Sequence, residues 1–147
     1  MKILIVGPGN SGKTTLCHAL AGLPLPEEPI PATQGMKGIG RYIDTPGAYI
    51  DRPAFYQNLS VCAQQAGAVL LTVAADQEDF FYPEGFASLF IRPVIGAVTK
   101  VDLTERDLRF AVHKLIATGV KGRIYHVSAW TGYGLEALLQ GMEHAYR

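Results

Sequence analysis

Eight consecutive residues, Gly7-Pro8-Gly9-Asn10-Ser11-Gly12-Lys13-Thr14, set three glycines, a lysine and a hydroxyl in the order G-x-x-x-x-G-K-[ST]. Glycines at this spacing let successive backbone N–H groups turn inward and cradle a chain of phosphates. A helix that starts at the end of the loop adds the partial positive charge of its N-terminus. Lys13 then reaches the outer phosphates, and the hydroxyl of Thr14 suits Mg²⁺. Gly7, Asn10, Ser11, Gly12, Lys13, Thr14 and the adjoining Thr15 are the candidate phosphate-binding residues. The pattern is long enough to outweigh an ordinary glycine-rich turn.

Three further groups carry chemistry of the same kind. Asp44-Thr45-Pro46-Gly47 puts a carboxylate where it can share a Mg²⁺ with Thr14, and a glycine whose N–H can meet a terminal phosphate. Taken alone this is also the composition of a turn. In Thr99-Lys100-Val101-Asp102 the carboxylate can accept two hydrogen bonds from the N1–H and N2–H₂ edge of guanine, a pair of donors that adenine lacks, while the Lys100 stem lies along the base. Read by itself, Asp102 is an acidic residue near a helix start. Ser128-Ala129 offers a backbone N–H for the guanine carbonyl.

These groups need a scaffold that brings them to one edge. Residues 2–6 are a continuous run of β-formers that stops at the glycines, and 13–21 carry Leu16, Ala19 and Leu20 at helical spacing before Gly22. Four prolines between 24 and 31 make 23–31 an extended connection. Residues 40–43 predict a second strand, 53–65 a helix, 68–74 a third strand, 84–90 a short helical stretch and 93–99 a fourth strand. Residues 104–118 predict a helix capped by Thr104, with acidic residues in its first turn and a stripe of Leu108, Ala111, Val112 and Leu115. A fifth strand over 123–127 and a helix over 135–146 follow. Strands alternating with helices imply a mainly parallel sheet covered on both faces, an α/β three-layer fold in which ligands sit at the carboxyl ends of the strands.

Composition narrows the classes. The 147 residues suit one domain, and a 48% apolar share with 18% charged residues excludes a disordered chain. Thirteen basic residues balance thirteen acidic ones, which argues against nucleic-acid binding. The apolar run at 66–75 is too short to span a membrane, no secretory leader is present, and two cysteines make no disulfide framework, so a cytoplasmic setting is expected. Cys17 and Cys62 read as buried thiols. His18, His113, His126 and His144 show no ligand spacing, which implies no metal beyond Mg²⁺. Phe80-Phe81-Tyr82 reads as core and hinge packing.

The order of these motifs resembles the small P-loop GTPases of the Ras-like and Era-like kind. More narrowly, the short length, Thr33-Gln34, the run Ile43-Asp44-Thr45-Pro46-Gly47-Ala48-Tyr49 and the form Thr-Lys-x-Asp resemble the ethanolamine-utilisation and propanediol-utilisation GTPase-like family, over the whole of residues 1–147. The resemblance implies Lys13, Thr33 and Gly47 as catalytic residues, with Thr14, Thr33 and Asp44 around Mg²⁺. It also implies Thr99, Lys100, Asp102, Ser128 and Ala129 around the base of GTP or GDP, with 23–38 and 48–53 as switch loops. Only 30 positions separate Thr14 from Asp44, fewer than in Ras-like proteins, so the strand hairpin usual there is expected to be trimmed.

Two departures bear on mechanism. Ala48 stands where Ras-like enzymes place a water-orienting glutamine, which implies slow hydrolysis, and Thr99 replaces an asparagine, which leaves ATP open. The leading expectation is a slow GTPase that reports nucleotide state to a protein partner, linked to bacterial microcompartments. A phosphotransferase acting on a short carboxylate and a non-hydrolysing interaction module are the alternatives.

Overall fold

Alternation of side chains along the first strand decides which way each helix packs. In the computed structural model, which describes residues 1–105 and 107–146, β1 spans Ile3–Val6 with every residue buried. Ile3 and Ile5 join one apolar cluster and Leu4 and Val6 the other, as the period of two in a strand requires. The first cluster also takes Leu16, Leu138 and Met142 from α1 (Lys13–Leu20) and α5 (Leu135–Ala145). The second takes Leu59, Ala111 and Leu115 from α3 (Tyr56–Gln64) and α4 (Arg109–Ile116). Two helical layers therefore enclose the sheet, in agreement with the expected three-layer α/β architecture.

The sheet has six strands in the order β2-β3-β1-β4-β5-β6, with β2 at Lys37–Ile39, β3 at Tyr42–Asp44, β4 at Ala68–Ala74, β5 at Val94–Thr99 and β6 at Ile124–His126. All pairings are parallel except β2 with β3. The parallel strands point their carboxyl ends at the same edge. Each of the four chemical groups follows one of those ends: the glycine loop after β1, Asp44 closing β3, Thr99 closing β5, and Ser128 just beyond β6.

The hairpin expected to be trimmed is indeed short, and several other expectations need correcting. In that hairpin Lys37 pairs with Asp44 and Ile39 with Tyr42 across the two residues Gly40-Arg41. Gly40 has φ +59 at the first loop position, where a II′ turn places its glycine. The expected switch loop 23–38 therefore ends in a strand. The second, 48–53, is mostly a one-turn helix, α2 (Ala48–Asp51), and a 3₁₀ turn at Pro53–Phe55 separates it from α3, so the helix expected over 53–65 begins at Tyr56.

The helix expected over 104–118 starts at Arg109. Thr104 is extended and Leu108 stands at the N-cap without a side-chain hydrogen bond; one residue before it, Asp107 accepts the Arg109 N–H at 2.9 Å while its carboxylate pairs with the Arg109 guanidinium. Arg106, within that expected helix, lies outside the described residues. Finally, Cys62 is only half-buried, unlike the fully buried Cys17, whose thiol burial pushes far above its usual range. In the aromatic run Tyr82 is buried but Phe81 is 61% exposed, in edge contact with Phe110.

Candidate nucleotide-binding site

The glycine loop is held by its carbonyls, which leaves its N–H groups facing the other way. Four consecutive loop carbonyls each accept a side-chain donor: Pro8 from Lys13 Nζ at 3.0 Å, Gly9 from Gln77 Nε2 at 2.8 Å, Asn10 from Lys100 Nζ at 2.7 Å and Ser11 from Thr99 Oγ1 at 2.5 Å. Because a trans peptide points its N–H opposite its C=O, tying down the carbonyls turns the following amides away from those partners and toward the ligand side, apart from the Ser11 N–H, which donates to Pro8 O at 3.2 Å. Asn10 (φ +64) and Gly12 (φ +79) adopt the left-handed conformation that lets the amides converge. Gly12 caps α1 without any side-chain hydrogen bond, so the first-turn amides remain donors for an anion. At Gly7 a Cβ would lie 2.1 Å from Thr72 Oγ1, and only glycine fits.

Lys13 is buried at the end of this loop. Burial lowers its pKa to about 8, with Asp44 and Cys17 pulling weakly the other way. A lysine so placed is short of negative charge.

The three residues expected around Mg²⁺ meet. Asp44 is fully buried, and its Oδ2 accepts hydrogen bonds from Thr14 Oγ1 at 2.6 Å and Thr33 Oγ1 at 3.0 Å; the two hydroxyls share a further contact at 3.3 Å. Its Oδ1 is buried with no partner. An orphaned carboxylate oxygen beside two hydroxyls is an all-oxygen donor set, the chemistry a hard divalent cation takes. Among the described residues no cluster of histidine, cysteine and acidic side chains offers a different kind of metal centre.

Gly47 follows at the start of α2, pressed onto the loop: a Cβ there would lie 2.2 Å from the Gly9 nitrogen. Its neighbour Ala48 is exposed on the same cavity and carries no group that could orient a water.

On the base side, Thr99 is turned to the loop and does not face outward, taking Ser11 O. Lys100 has φ +57 and its stem lies against Gly12. Asp102 is exposed in a 3₁₀ turn (Val101–Leu103), and its Oδ1 accepts the Ser128 hydroxyl at 2.7 Å, which holds the carboxylate in place. The backbone N–H of Ser128 is committed to the Tyr133 carbonyl at 3.0 Å, so Ser128 serves through its side chain and the free-amide expectation passes to Ala129.

Most of these groups border one cavity of about 730 Å³, whose wall also takes Arg52, Leu103 and Trp130; Gly7, Ser11, Asp44 and Ser128 lie behind that wall, the last three fully buried. Sequence reasoning missed several contributors. Gln77 fastens the loop through Gly9 while its Oε1 accepts the Ala74 N–H at 2.9 Å. Thr72 shares a hydrogen bond with Ser11 at 3.1 Å, and the buried Tyr82 hydroxyl donates to Thr72 O at 2.6 Å. None of these has a motif signal, because Thr72 and Gln77 meet the loop from 61 and 68 positions away in the chain and Tyr82 acts on it through Thr72.

A mainly parallel six-stranded sheet with this loop after its first strand is a P-loop NTPase fold, and solved structures agree on it. The chain superposes on a probable GTP-binding protein engB (TM-score 0.71, 18% identity, 100% of this chain and 99% of that one). It also superposes on the Y63A form of Aquifex aeolicus Era bound to GDP·AlF₄⁻ (0.69, 24%, 100% and 58%) and on a bacterial selenocysteine-specific elongation factor (0.68, 24%, 99% and 29%). The chain thus spans little more than half of Era and under a third of the elongation factor. Within that class it belongs to the ethanolamine utilisation–propanediol utilisation family, whose sequence pattern matches residues 1–144. Relatives include the propanediol utilization protein PduV of Citrobacter freundii (29% identity; 93% of this chain, 89% of that one) and the probable acetate kinase EutP of Escherichia coli K12 (25%; 94% and 86%).

Proposed function

We propose that this protein binds a nucleoside triphosphate with Mg²⁺, prefers GTP, and hydrolyses it slowly, acting in ethanolamine or propanediol utilisation as a cytoplasmic nucleotide switch read by a microcompartment-associated protein partner. The observation that carries the reading is the buried Asp44 carboxylate, with one oxygen unpaired and the other held by Thr14 and Thr33, beside an uncompensated Lys13. No described helix is long and apolar enough to cross a membrane.

In this reading the loop amides and Lys13 hold the β- and γ-phosphates. Thr14, Thr33 and Asp44 hold Mg²⁺, which would neutralise charge developing on the phosphate oxygens. Thr33 lies in the long segment before β2, so a ligand that competes for its hydroxyl couples the site to that segment. Gly47 presents its backbone to the terminal phosphate. Hydrolysis is slow because Ala48 positions no water.

The test is titration of the purified protein with GTP, GDP and ATP, each with and without Mg²⁺. GTP should bind most tightly and lose at least tenfold in affinity when Mg²⁺ is chelated; absence of binding by all three would end the reading. Base preference is checked separately by Asp102→Asn. An amide there offers one acceptor where guanine brings two donors, and it faces one of them with its own NH₂. GTP affinity should fall about a hundredfold with ATP affinity little changed, since a site built on paired hydrogen bonds discriminates strongly. Equal losses for both nucleotides would remove Asp102 from base reading.

A second reading has one observation in its favour. With Ala48 in place of a water-orienting side chain, and with an arginine on the cavity wall, the site suits transfer to an acceptor other than water, such as a short carboxylate. One relative is described as a probable acetate kinase. Product analysis with γ-labelled GTP and candidate carboxylates separates the readings: inorganic phosphate alone marks a hydrolase, an acyl phosphate marks a kinase, and binding without either marks a non-hydrolysing module.

A further inference from the structure

The terminal-phosphate end of the cavity carries a cation that the reading above leaves without a task. Gly47 is seated on the Gly9 backbone, which anchors the start of α2 against the loop. One turn of helix advances the chain only about 6 Å, and at its end Arg52 turns extended (φ −124, ψ 103). Arg52 borders the same cavity as Gly9, Lys13 and Gly47. The other cations on that wall are occupied, Lys13 with Pro8 O and Lys100 with Asn10 O. The Arg52 guanidinium has no hydrogen-bond or ion-pair partner among the described residues, and it is the only arginine on the cavity wall.

We propose that Arg52 contacts the γ-phosphoryl group of the bound nucleotide and stabilises the charge that develops on it during transfer. The inference rests on the proposed nucleotide binding. In hydrolysis a water oxygen bonds to the γ-phosphorus while the β–γ bridging P–O bond breaks. The bond's electron pair leaves with GDP, and the water's proton is released with inorganic phosphate. Negative charge gathers on the γ-oxygens and the bridging oxygen. A planar guanidinium can donate two parallel N–H bonds to such oxygens, which a lysine ammonium cannot match. Ala48 adds no polar side chain beside the terminal phosphate, so Arg52 supplements the charge stabilisation assigned to Lys13 and the Mg²⁺ residues.

The experiment compares the parent with Arg52→Ala and Arg52→Lys. It measures affinities for GDP and a non-hydrolysable GTP analogue, and phosphate release in a single turnover. Arg52→Ala should keep GDP affinity within about twofold, lower the ratio of analogue to GDP affinity about tenfold, and slow phosphate release about a hundredfold or more; Arg52→Lys should recover little of the rate. An unchanged affinity ratio in Arg52→Ala overturns the proposal, as does a parallel loss of GDP and analogue binding, which would make Arg52 structural. If the parent itself binds no nucleotide, the underlying reading fails first and this one with it. A parent that binds, with an indifferent Arg52→Ala, sinks only the role of Arg52.

Discussion

A Lys13→Met variant should bind GTP and GDP at least about a thousandfold more weakly than the parent, while its ligand-free melting temperature stays level or rises. The two halves have one cause. Lys13 is buried, and the drop of its pKa to about 8 means the folded, ligand-free protein holds a charged amine at a cost of the order of 3 kcal/mol. Methionine keeps the apolar stem and removes that cost, offset in part by the Pro8 carbonyl it leaves unpaired. A polyphosphate reverses the sign, since the same amine then gains charge-assisted hydrogen bonds in a shielded place. The pH dependence follows. Below pH 8 both folded and unfolded chains carry the proton and the cost is fully present. From about 8 to 10.5 the folded chain releases it first, so ligand-free stability rises with pH. Nucleotide binding in that window must restore the proton, so calorimetry of the parent at pH 9 in two buffers of different ionisation enthalpy should show proton uptake from Lys13, and that uptake should fall away well below pH 8. Nucleotide binding retained by the variant would show that the loop does not hold phosphate through this lysine.

What the sequence makes legible is whatever depends on near neighbours in the chain. The glycine loop, its place between β1 and α1, and the run of β4, apolar but for Thr72, are local patterns, and they specify the parallel sheet and one edge for the site. The misreadings arise where one local signal competes with another, or where a strand or amide finds a partner that no apolar pattern announces. Thr104 is a good cap by type, yet the helix begins at Arg109, where the Asp107 carboxylate reaches both the amide and the guanidinium. The strand Lys37–Ile39 has no apolar run to announce it; it exists because Tyr42–Asp44 supplies a ladder and Gly40 a turn. Ser128 reads as a backbone donor, but the Tyr133 carbonyl takes its amide and Asp102 its hydroxyl.

The same distinction explains Gln77 and Arg52. Gln77 sits 68 positions from Gly9, and no spacing rule connects a glutamine after β4 with a carbonyl after β1. Its contact arises because β1 and β4 are adjacent parallel strands and β4 runs past the end of β1, which carries the chain after it alongside the loop. Arg52 becomes visible only when the segment after Gly47 proves to be a single helical turn, which brings an otherwise ordinary surface arginine to the cavity.

A Gly47→Ala variant should lose about 1–3 kcal/mol of stability and about a hundredfold in GTP affinity or turnover, although alanine is the better helix former. Gly47 has φ −60 and ψ −32, which any residue adopts, so backbone freedom is not why glycine stands there. Space is. The added Cβ would lie 2.2 Å from the Gly9 nitrogen, 2.7 Å from its Cα and 2.9 Å from the Pro8 carbonyl carbon, all of them backbone atoms that no rotamer can clear. Relief needs a shift of about 1 Å between α2 and the loop, and overpacking of this kind outweighs a helix-propensity gain of under ~1 kcal/mol. A 1 Å displacement of the amides that orient a reacting phosphate is worth about a hundredfold. Gly9→Ala supplies the control for stability, because a Cβ there meets nothing within 4 Å, so its ligand-free melting temperature should match the parent's. Denaturant melts and GTP titrations of the two variants decide the matter. If Gly47→Ala were as stable as Gly9→Ala and bound GTP like the parent, the chain after β3 would not rest on the loop, and no signal could pass by that route from the terminal phosphate to α2.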